Sequence, residues 1–244
     1  MEPEIIFVTG TDTGVGKTIV TSLLLAHLRQ SGGRALALKP FCSGGRGDVQ
    51  LLRRLQDDEL TLDEINPFYF PKPLAPLVAA REQGRKITFQ EVINHIQEIR
   101  KKLKNHDSKT PSLHYSARSY LLIEGSGGLL VPLGEGYTVA DLIAKLKCKI
   151  AVVAKNRLGT INHTLLTVRA LQAAGHEQVK VVLMDSVPPR LATPDARHNA
   201  QILTELLSPI PVLTLPFLGR NPANPRAMRT QAKRWGSTLD ILAL

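Results

Sequence analysis

Gly10-Thr11-Asp12-Thr13-Gly14-Val15-Gly16-Lys17-Thr18 is the stretch whose reading decides the fold. It follows the apolar run Ile5-Ile6-Phe7-Val8 and precedes a helical pattern from Lys17 to about Gln30, so it reads as strand, glycine-rich turn and helix. Small residues let successive backbone N–H groups approach an anion, and the positive end of a helix dipole adds to their pull. In such a loop the lysine, here Lys17, contacts the outer phosphates of a nucleotide, and the hydroxyl of Thr18 ligates Mg²⁺. A plain glycine turn would account for the glycines but not for Lys-Thr at the start of a helix. The spacing is a variant of the common one, because five residues rather than four separate Gly10 from Gly16.

Outward from the loop, strands and helices alternate. Gly32-Gly33 stops the first helix, and Arg34 to Lys39 reads as a second strand ended by Pro40. A helix is expected from Asp48 to about Gln56, followed by a proline-interrupted connection from Asn66 to Pro76. Thr88 and Glu91 have capping-box spacing ahead of a helix whose core face carries Phe89, Val92, Ile93, Ile96, Ile99 and Leu103. Residues Asn105 to Ser119 form a polar loop, after which Tyr120-Leu121-Leu122-Ile123 is a buried strand that delivers Glu124 into a second glycine turn, Gly125-Ser126-Gly127-Gly128. Further strands are expected at Ile150–Ala154, Val179–Met184 and Val212–Leu215, and helices at Thr138–Lys147, Ile161–Ala174 and Asp195–Leu207. This order predicts an α/β fold in three layers, a mostly parallel β-sheet flanked by helices on both faces, as a single domain over residues 1–244. Such sheets bind ligands beyond the carboxyl ends of their strands.

Composition narrows the partners. With 244 residues, 43% of them hydrophobic, the chain can bury a full core. It has no apolar stretch near the roughly 20 residues needed to cross a bilayer, and Met1-Glu2-Pro3-Glu4 lacks the basic start of a secretory signal, so no membrane association and a cytoplasmic location are expected. Cys42 and Cys148 form no close-spaced metal pair and are too few for a disulfide scaffold. The formal charge of +10 invites a nucleic-acid reading, but the basic residues are spread from Arg29 to Arg234. Their densest run, Arg100-Lys101-Lys102-Leu103-Lys104, ends a helix, where cations complement the dipole, so no nucleic acid is expected as a partner.

Segments spread along nearly the whole chain resemble the dethiobiotin synthetase family in family order. The loop matches Gly-Thr-Asp-Thr-x-Val-Gly-Lys-Thr. It is followed by Lys39-Pro40 with Ser43, Asp48 at a helix start, and Pro76 with Ala79-Ala80. Then come Glu124 through Leu133, Ala140-Asp141, and Leu158-Gly159-Thr160-Ile161-Asn162-His163-Thr164. The Glu-Gly-x-Gly-Gly and Leu-Gly-x-Ile-Asn-His segments are the specific ones. The resemblance implies a P-loop NTPase fold and an ATP- and Mg²⁺-dependent ligase acting on 7,8-diaminononanoate and CO₂ or bicarbonate.

The resemblance also implies roles. ATP would lie on Gly14, Val15, Gly16, Lys17, Thr18 and Ile19, with Asp48, Glu124, Gly125, Ser126 and Gly127 around its phosphates and Met184, Asp185, Pro216 and Asn221 at its base. Mg²⁺ would be held by Thr18, Asp48 and Glu124, two carboxylates whose mutual repulsion an ion neutralises. Lys17 and Lys39 would be catalytic, Lys39 meeting the carbamate and the transferring phosphoryl group with Thr13 and Ser43 nearby. From the residues alone, Lys39 ends an apolar strand beside the loop, where its ammonium and that of Lys17 would repel unless an anion lay between them. Gly159, Thr160, Ile161 and Asn162 would bind the substrate carboxylate at a helix N-terminus supplied by the neighbouring subunit, which implies a homodimer.

Two features depart from the family pattern. Met184-Asp185 stands where the family often has Asn-Asp, and methionine lacks the amide's paired donor and acceptor. Only Gly44-Gly45-Arg46-Gly47 links Ser43 to Asp48, a shorter connection than the family's, which leaves Asp57 and Asp58 as alternative metal ligands. The competing reading is a partition-type P-loop ATPase switch that binds DNA or protein. Related loops of that kind usually carry lysine in place of Asp12, and the Glu124 glycine motif also argues against it. Amidation of a cobyrinate-type acceptor would require a glutamine-hydrolysing domain for which the chain has no plausible Cys-His arrangement.

Overall fold

Among the described residues ten strands form: β1 (Glu4–Gly10), β2 (Arg34–Leu38), β3 (Phe41–Ser43), β4 (Phe68–Phe70), β5 (Ser119–Glu124), β6 (Pro132–Gly134), β7 (Tyr137–Thr138), β8 (Lys149–Lys155), β9 (Val179–Met184) and β10 (Val212–Leu215). The helices among them are α1 (Lys17–Gln30), α2 (Gly47–Leu55), α3 (Leu62–Ile65), α4 (Pro76–Glu82), α5 (Phe89–Asp107), α6 (Val139–Leu146), α7 (Thr160–Ala173), α8 (Pro194–Leu207), α9 (Pro225–Arg234) and α10 (Gly236–Ala243). These assignments come from a computed structural model that describes residues 2–107, 118–219 and 223–244.

Six strands form the central sheet in the order β10-β9-β8-β1-β5-β2, every neighbouring pair parallel. Consecutive residues Ile5, Ile6, Phe7 and Val8 are all buried, so both faces of the sheet are covered, as continuous apolar runs in parallel strands require. With α1 packed on β1, β2 and β5, α6 on β1, and α7 on β8 and β9, the expected three-layer arrangement is realised.

Register decides where the chemistry lies. Val8 of β1 pairs with Glu124 of β5, and Leu38 of β2 pairs with Ile123. The next residue after Leu38 is Lys39, so parallel pairing brings Lys39 level with Glu124 at the carboxyl edge, one strand from the glycine loop that leaves β1. Residues far apart in sequence thus meet because strand ends align.

Six expected strands and the helices between them fall within a residue or two of their observed bounds, and the Thr88–Glu91 capping box forms: Glu91 N–H donates to Thr88 Oγ1 at 3.2 Å and Thr88 N–H donates to Glu91 Oε2 at 2.7 Å. The sequence reading missed several short elements. The connection from Asn66 to Pro76 contains β4, which pairs with β3 in a separate parallel ladder, and β6 pairs with β7 in an antiparallel one. The basic C-terminal stretch folds as α9 and α10, both packed on α1. Of the expected polar loop, Asn105 belongs to α5 and Ser119 to β5, while 108–117 lie outside the described residues. Among the described residues no helix is long and apolar enough to cross a membrane.

Candidate active site

The loop between β1 and α1 turns on two glycines in the left-handed region, Gly14 (φ 72°) and Gly16 (φ 107°), where a side chain would be strained. Gly16 caps α1 with no side-chain bond, and no acidic residue stands in the first turn, so the leading N–H groups are left to an anion. Lys17 is buried and folds back so that its ammonium donates to Asp12 O at 2.8 Å. The second glycine turn packs over this loop: a β-carbon on Gly128 would lie 3.5 Å from the carbonyl oxygens of Gly10 and Thr11.

Thr18, Asp48, Glu124 and Lys39 converge beside the loop. The Thr18 hydroxyl is 2.7 Å from Glu124 Oε1 and 3.0 Å from Asp48 Oδ2. Lys39 Nζ donates to Asp48 Oδ2 at 2.5 Å, to Glu124 Oε1 at 2.9 Å and to Thr18 Oγ1 at 3.3 Å. Asp48 reaches this cluster from the first turn of α2, so the short Gly44–Gly47 link does not displace it. Asp57 and Asp58, the alternative metal ligands, are engaged elsewhere: Asp57 pairs with Arg29 and Arg229, and Asp58 with Arg53.

The charges tune one another. Burial lowers the Lys17 ammonium and Lys39 lowers it further, against the attraction of Glu124, leaving it at about 8. Burial would also lower Lys39, but the Glu124 and Asp48 carboxylates overcome it and raise Lys39 above the ordinary lysine value. Burial works against ionised Asp48, yet the Lys39 charge and hydrogen bond, with the Thr18 hydroxyl, hold it below the usual carboxylate range.

Among the described residues no group of three or more His, Cys, Asp or Glu gathers as a metal centre. A magnesium site needs fewer, since Mg²⁺ takes one or two carboxylates and completes its shell with water and phosphate. Thr18, Asp48 and Glu124 supply that hard-oxygen set, and Glu124 Oε2 is buried with no hydrogen-bond partner, a lone pair left for a cation. The donor set fits the ion.

All of this opens into one cleft of about 630 Å³. Thr13, Gly14, Gly16, Lys17, Thr18, Ile19, Lys39, Ser43, Asp48, Glu124, Gly125, Ser126 and Gly127, each named from the sequence, line it; Val15 is buried behind the loop. The Ser126 hydroxyl donates to Phe41 O at 2.8 Å and so ties the second glycine turn to β3. The sequence reading did not assign to the site the rest of the lining, Phe41, Cys42, Leu74, Ala75 and Val131 with Pro73 and Pro76. Pro76 and Val131 stand in segments that carry the family resemblance, and the proline-interrupted connection was the signal for Pro73, Leu74 and Ala75.

Other named residues lie outside this cleft. Met184 ends β9 and packs against Gly16. Asp185 follows it, its N–H donating to Leu215 O at 2.9 Å, which brings Pro216 alongside; its Oδ1 accepts from Asn156 Nδ2 at 2.7 Å. These three residues are together, beside the loop at Gly16. Asn221 lies outside the described residues. Gly159, Thr160, Ile161 and Asn162 open α7 and do not line the cleft of their own chain.

A family described as an AAA domain matches residues 4–231. The ATP-dependent dethiobiotin synthetase BioD of Bacillus subtilis (strain 168) is 40% identical over 174 residues, which cover 69% of each chain. Those of Anaeromyxobacter sp. strain Fw109-5 (41% over 182 residues, 73% of this chain and 75% of the relative) and strain K (38% over 216 residues, 87% and 89%) are similar. Among solved structures, the MinD cell division protein of Aquifex aeolicus aligns with a TM-score of 0.53 over 96% of this chain and 97% of its own, at 14% identity, which is a likeness of fold alone. The sequence likeness over most of the chain is of another order, and by it the chain belongs to the dethiobiotin synthetase family.

Proposed function

We propose that this chain is an ATP-dependent ligase that carboxylates 7,8-diaminononanoate and closes the ureido ring of dethiobiotin, releasing ADP and phosphate. The observation that carries the reading is the junction of Lys39 with Thr18, Asp48 and Glu124 beside a phosphate-type loop, in a cleft that apolar groups also line. One amino group takes up CO₂ as a carbamate and releases a proton; a carbamate oxygen attacks the γ-phosphorus of ATP, and ADP leaves. The second amine then attacks the carbon of the mixed anhydride, the ring closes and phosphate departs.

No step needs a covalent protein nucleophile, so the residues work by alignment and by charge. Lys17 and the N–H groups of α1 hold the terminal phosphates, and Lys39 meets the carbamate and the transferred phosphoryl oxygens, with Ser43 at the cleft edge. A single electrostatic contact of this kind is worth about 3 kcal/mol at the transition state. Mg²⁺, held by Thr18, Asp48 and Glu124, would neutralise phosphate charge when bound. Phe41, Leu74, Ala75, Pro76 and Val131 keep water from the anhydride, whose hydrolysis would waste ATP.

A homodimer belongs to the same reading. The α7 start, with Gly159 at φ 88° and the neighbouring Leu158 largely exposed, does not line its own chain's cleft, so a second copy would have to bring it to the substrate carboxylate. A cytoplasmic location accords with a biosynthetic reaction that consumes ATP. Asp12 stands where partition-type loops carry lysine, and no observation favours the switch. The test is one assay with diaminononanoate, bicarbonate, Mg²⁺ and a panel of nucleoside triphosphates, scored by mass for dethiobiotin. Product that depends on all components is expected; ATP turnover stimulated by DNA, with no dethiobiotin, would reject the reading.

A further inference from the structure

We infer that, in the nucleotide-free protein, the Lys39 ammonium is the internal counter-ion of Asp48 and Glu124 and keeps a free divalent cation out until a triphosphate arrives. The inference rests on the reading of Thr18, Asp48 and Glu124 as cation ligands. Lys39 Nζ lies 2.5 Å from Asp48 Oδ2, 2.9 Å from Glu124 Oε1 and 3.3 Å from Thr18 Oγ1. An ion would bind the same two carboxylates at roughly 2.0–2.1 Å, with Glu124 Oε2 as the oxygen that Lys39 leaves free. A divalent ion there would stand within about 4 Å of the ammonium, and their repulsion in a buried site opposes metal entry while Lys39 holds Asp48 and Glu124.

Leaving is unfavourable on its own. The Lys39 side chain is 11% exposed and that of Glu124 only 1%, so a displaced ammonium would be a buried charge without a partner. Lys17, the other cation of the cleft, repels it. A triphosphate on the glycine loop changes the balance, because its oxygens receive the displaced ammonium while the ion takes over the carboxylates. Metal and nucleotide are therefore coupled through Lys39, and the coupling is reciprocal: each raises the affinity of the other. The same movement delivers Lys39 to the phosphates only when the ion is present.

The probe is Mn²⁺, titrated into the whole chain without nucleotide and followed by the electron paramagnetic resonance of the free ion. Lys39→Met is expected to bind Mn²⁺ at least tenfold more tightly than wild type, and Lys39→Arg, which keeps a cation, to bind as weakly as wild type. Adding a non-hydrolysable ATP analogue should raise the wild-type affinity at least tenfold and that of Lys39→Met by clearly less. Equal affinities of wild type and Lys39→Met for Mn²⁺ alone would overturn the inference. Since Lys39→Met leaves two acids uncompensated and could fail to fold, wild-type crystals soaked in Mn²⁺ without nucleotide give an independent answer. No anomalous peak among Thr18, Asp48 and Glu124 is expected, and a peak there, whether or not Lys39 has moved, rejects the idea. These readings do not involve dethiobiotin, so failure of the synthetase assay and failure of the exclusion are separate outcomes.

Discussion

The Met184 side chain closes against Gly16: a β-carbon placed on that glycine would lie 3.3 Å from Met184 Cγ and 3.4 Å from Cε. The tip of β9 thereby packs a soft, apolar group on the phosphate loop. A thioether packs on a base but has no donor and acceptor pair with which to read its edge. Discrimination between ATP and GTP is therefore expected to stay within about tenfold in kcat/KM, a range typical of sites that lack a matched polar contact. Met184→Asn should widen the ratio in favour of ATP. Steady-state kinetics on both nucleotides decide it, and a wild-type preference above a hundredfold would assign base reading to other groups.

Lys17 gives the nucleotide affinity a pH dependence. Its ammonium is lowered to about 8 in the ligand-free protein by burial and by Lys39. A bound triphosphate favours the charged form and raises that value, so binding takes up a proton whenever the free protein has lost one. Affinity should be level below pH 8 and fall above it, by at most about tenfold per pH unit. Calorimetry with a non-hydrolysable analogue in buffers of different ionisation enthalpy would show the proton uptake; an affinity unchanged from pH 7 to 9.5 contradicts it.

Lys39 and Lys17 should separate in their variants. Lys39→Ala is expected to lower kcat by about 10²–10³, the usual scale for an electrostatic contact made in the transition state, with a modest change in nucleotide affinity. Lys17→Ala should weaken nucleotide binding more. Turnover and analogue binding measured on both proteins give the comparison, and wild-type activity in Lys39→Ala would remove Lys39 from the chemistry.

Glu124→Ala removes the more deeply buried partner of Lys39 and leaves that ammonium beside Asp48 alone. Breaking a buried pair in this way costs about 3 kcal/mol. In a domain of this size the melting temperature should drop by about 6–12 °C. Differential scanning calorimetry without nucleotide measures it; a drop under 2 °C means that the pair contributes little to the fold.

The sheet was legible because its strands are continuous apolar runs, several of them bounded by glycine or proline, and the loop because Lys17-Thr18 must stand at a helix start to bind phosphate. The meeting of Thr18, Lys39, Asp48 and Glu124 was not legible from spacing, since they are separated by as much as 106 positions and only the register of β1, β2 and β5 joins them. Short elements escaped for a different reason. Phe41–Ser43 and Phe68–Phe70 are too brief to show a period of two, and Pro225–Arg234 buries only Met228 and Ala232, too few to mark an apolar stripe. The wall of Phe41, Leu74, Ala75 and Val131 belongs to this hidden class: tertiary packing creates it.

Two ammonium groups and two carboxylates share the floor of the cleft, so its own charges cancel even though the molecule as a whole carries +10. The empty pocket then has little long-range reach toward an approaching polyanion, because the field that draws ligands in comes from uncompensated charge. Attraction at a distance comes instead from the +10 of the whole molecule, so the nucleotide on-rate should fall as salt screens that charge.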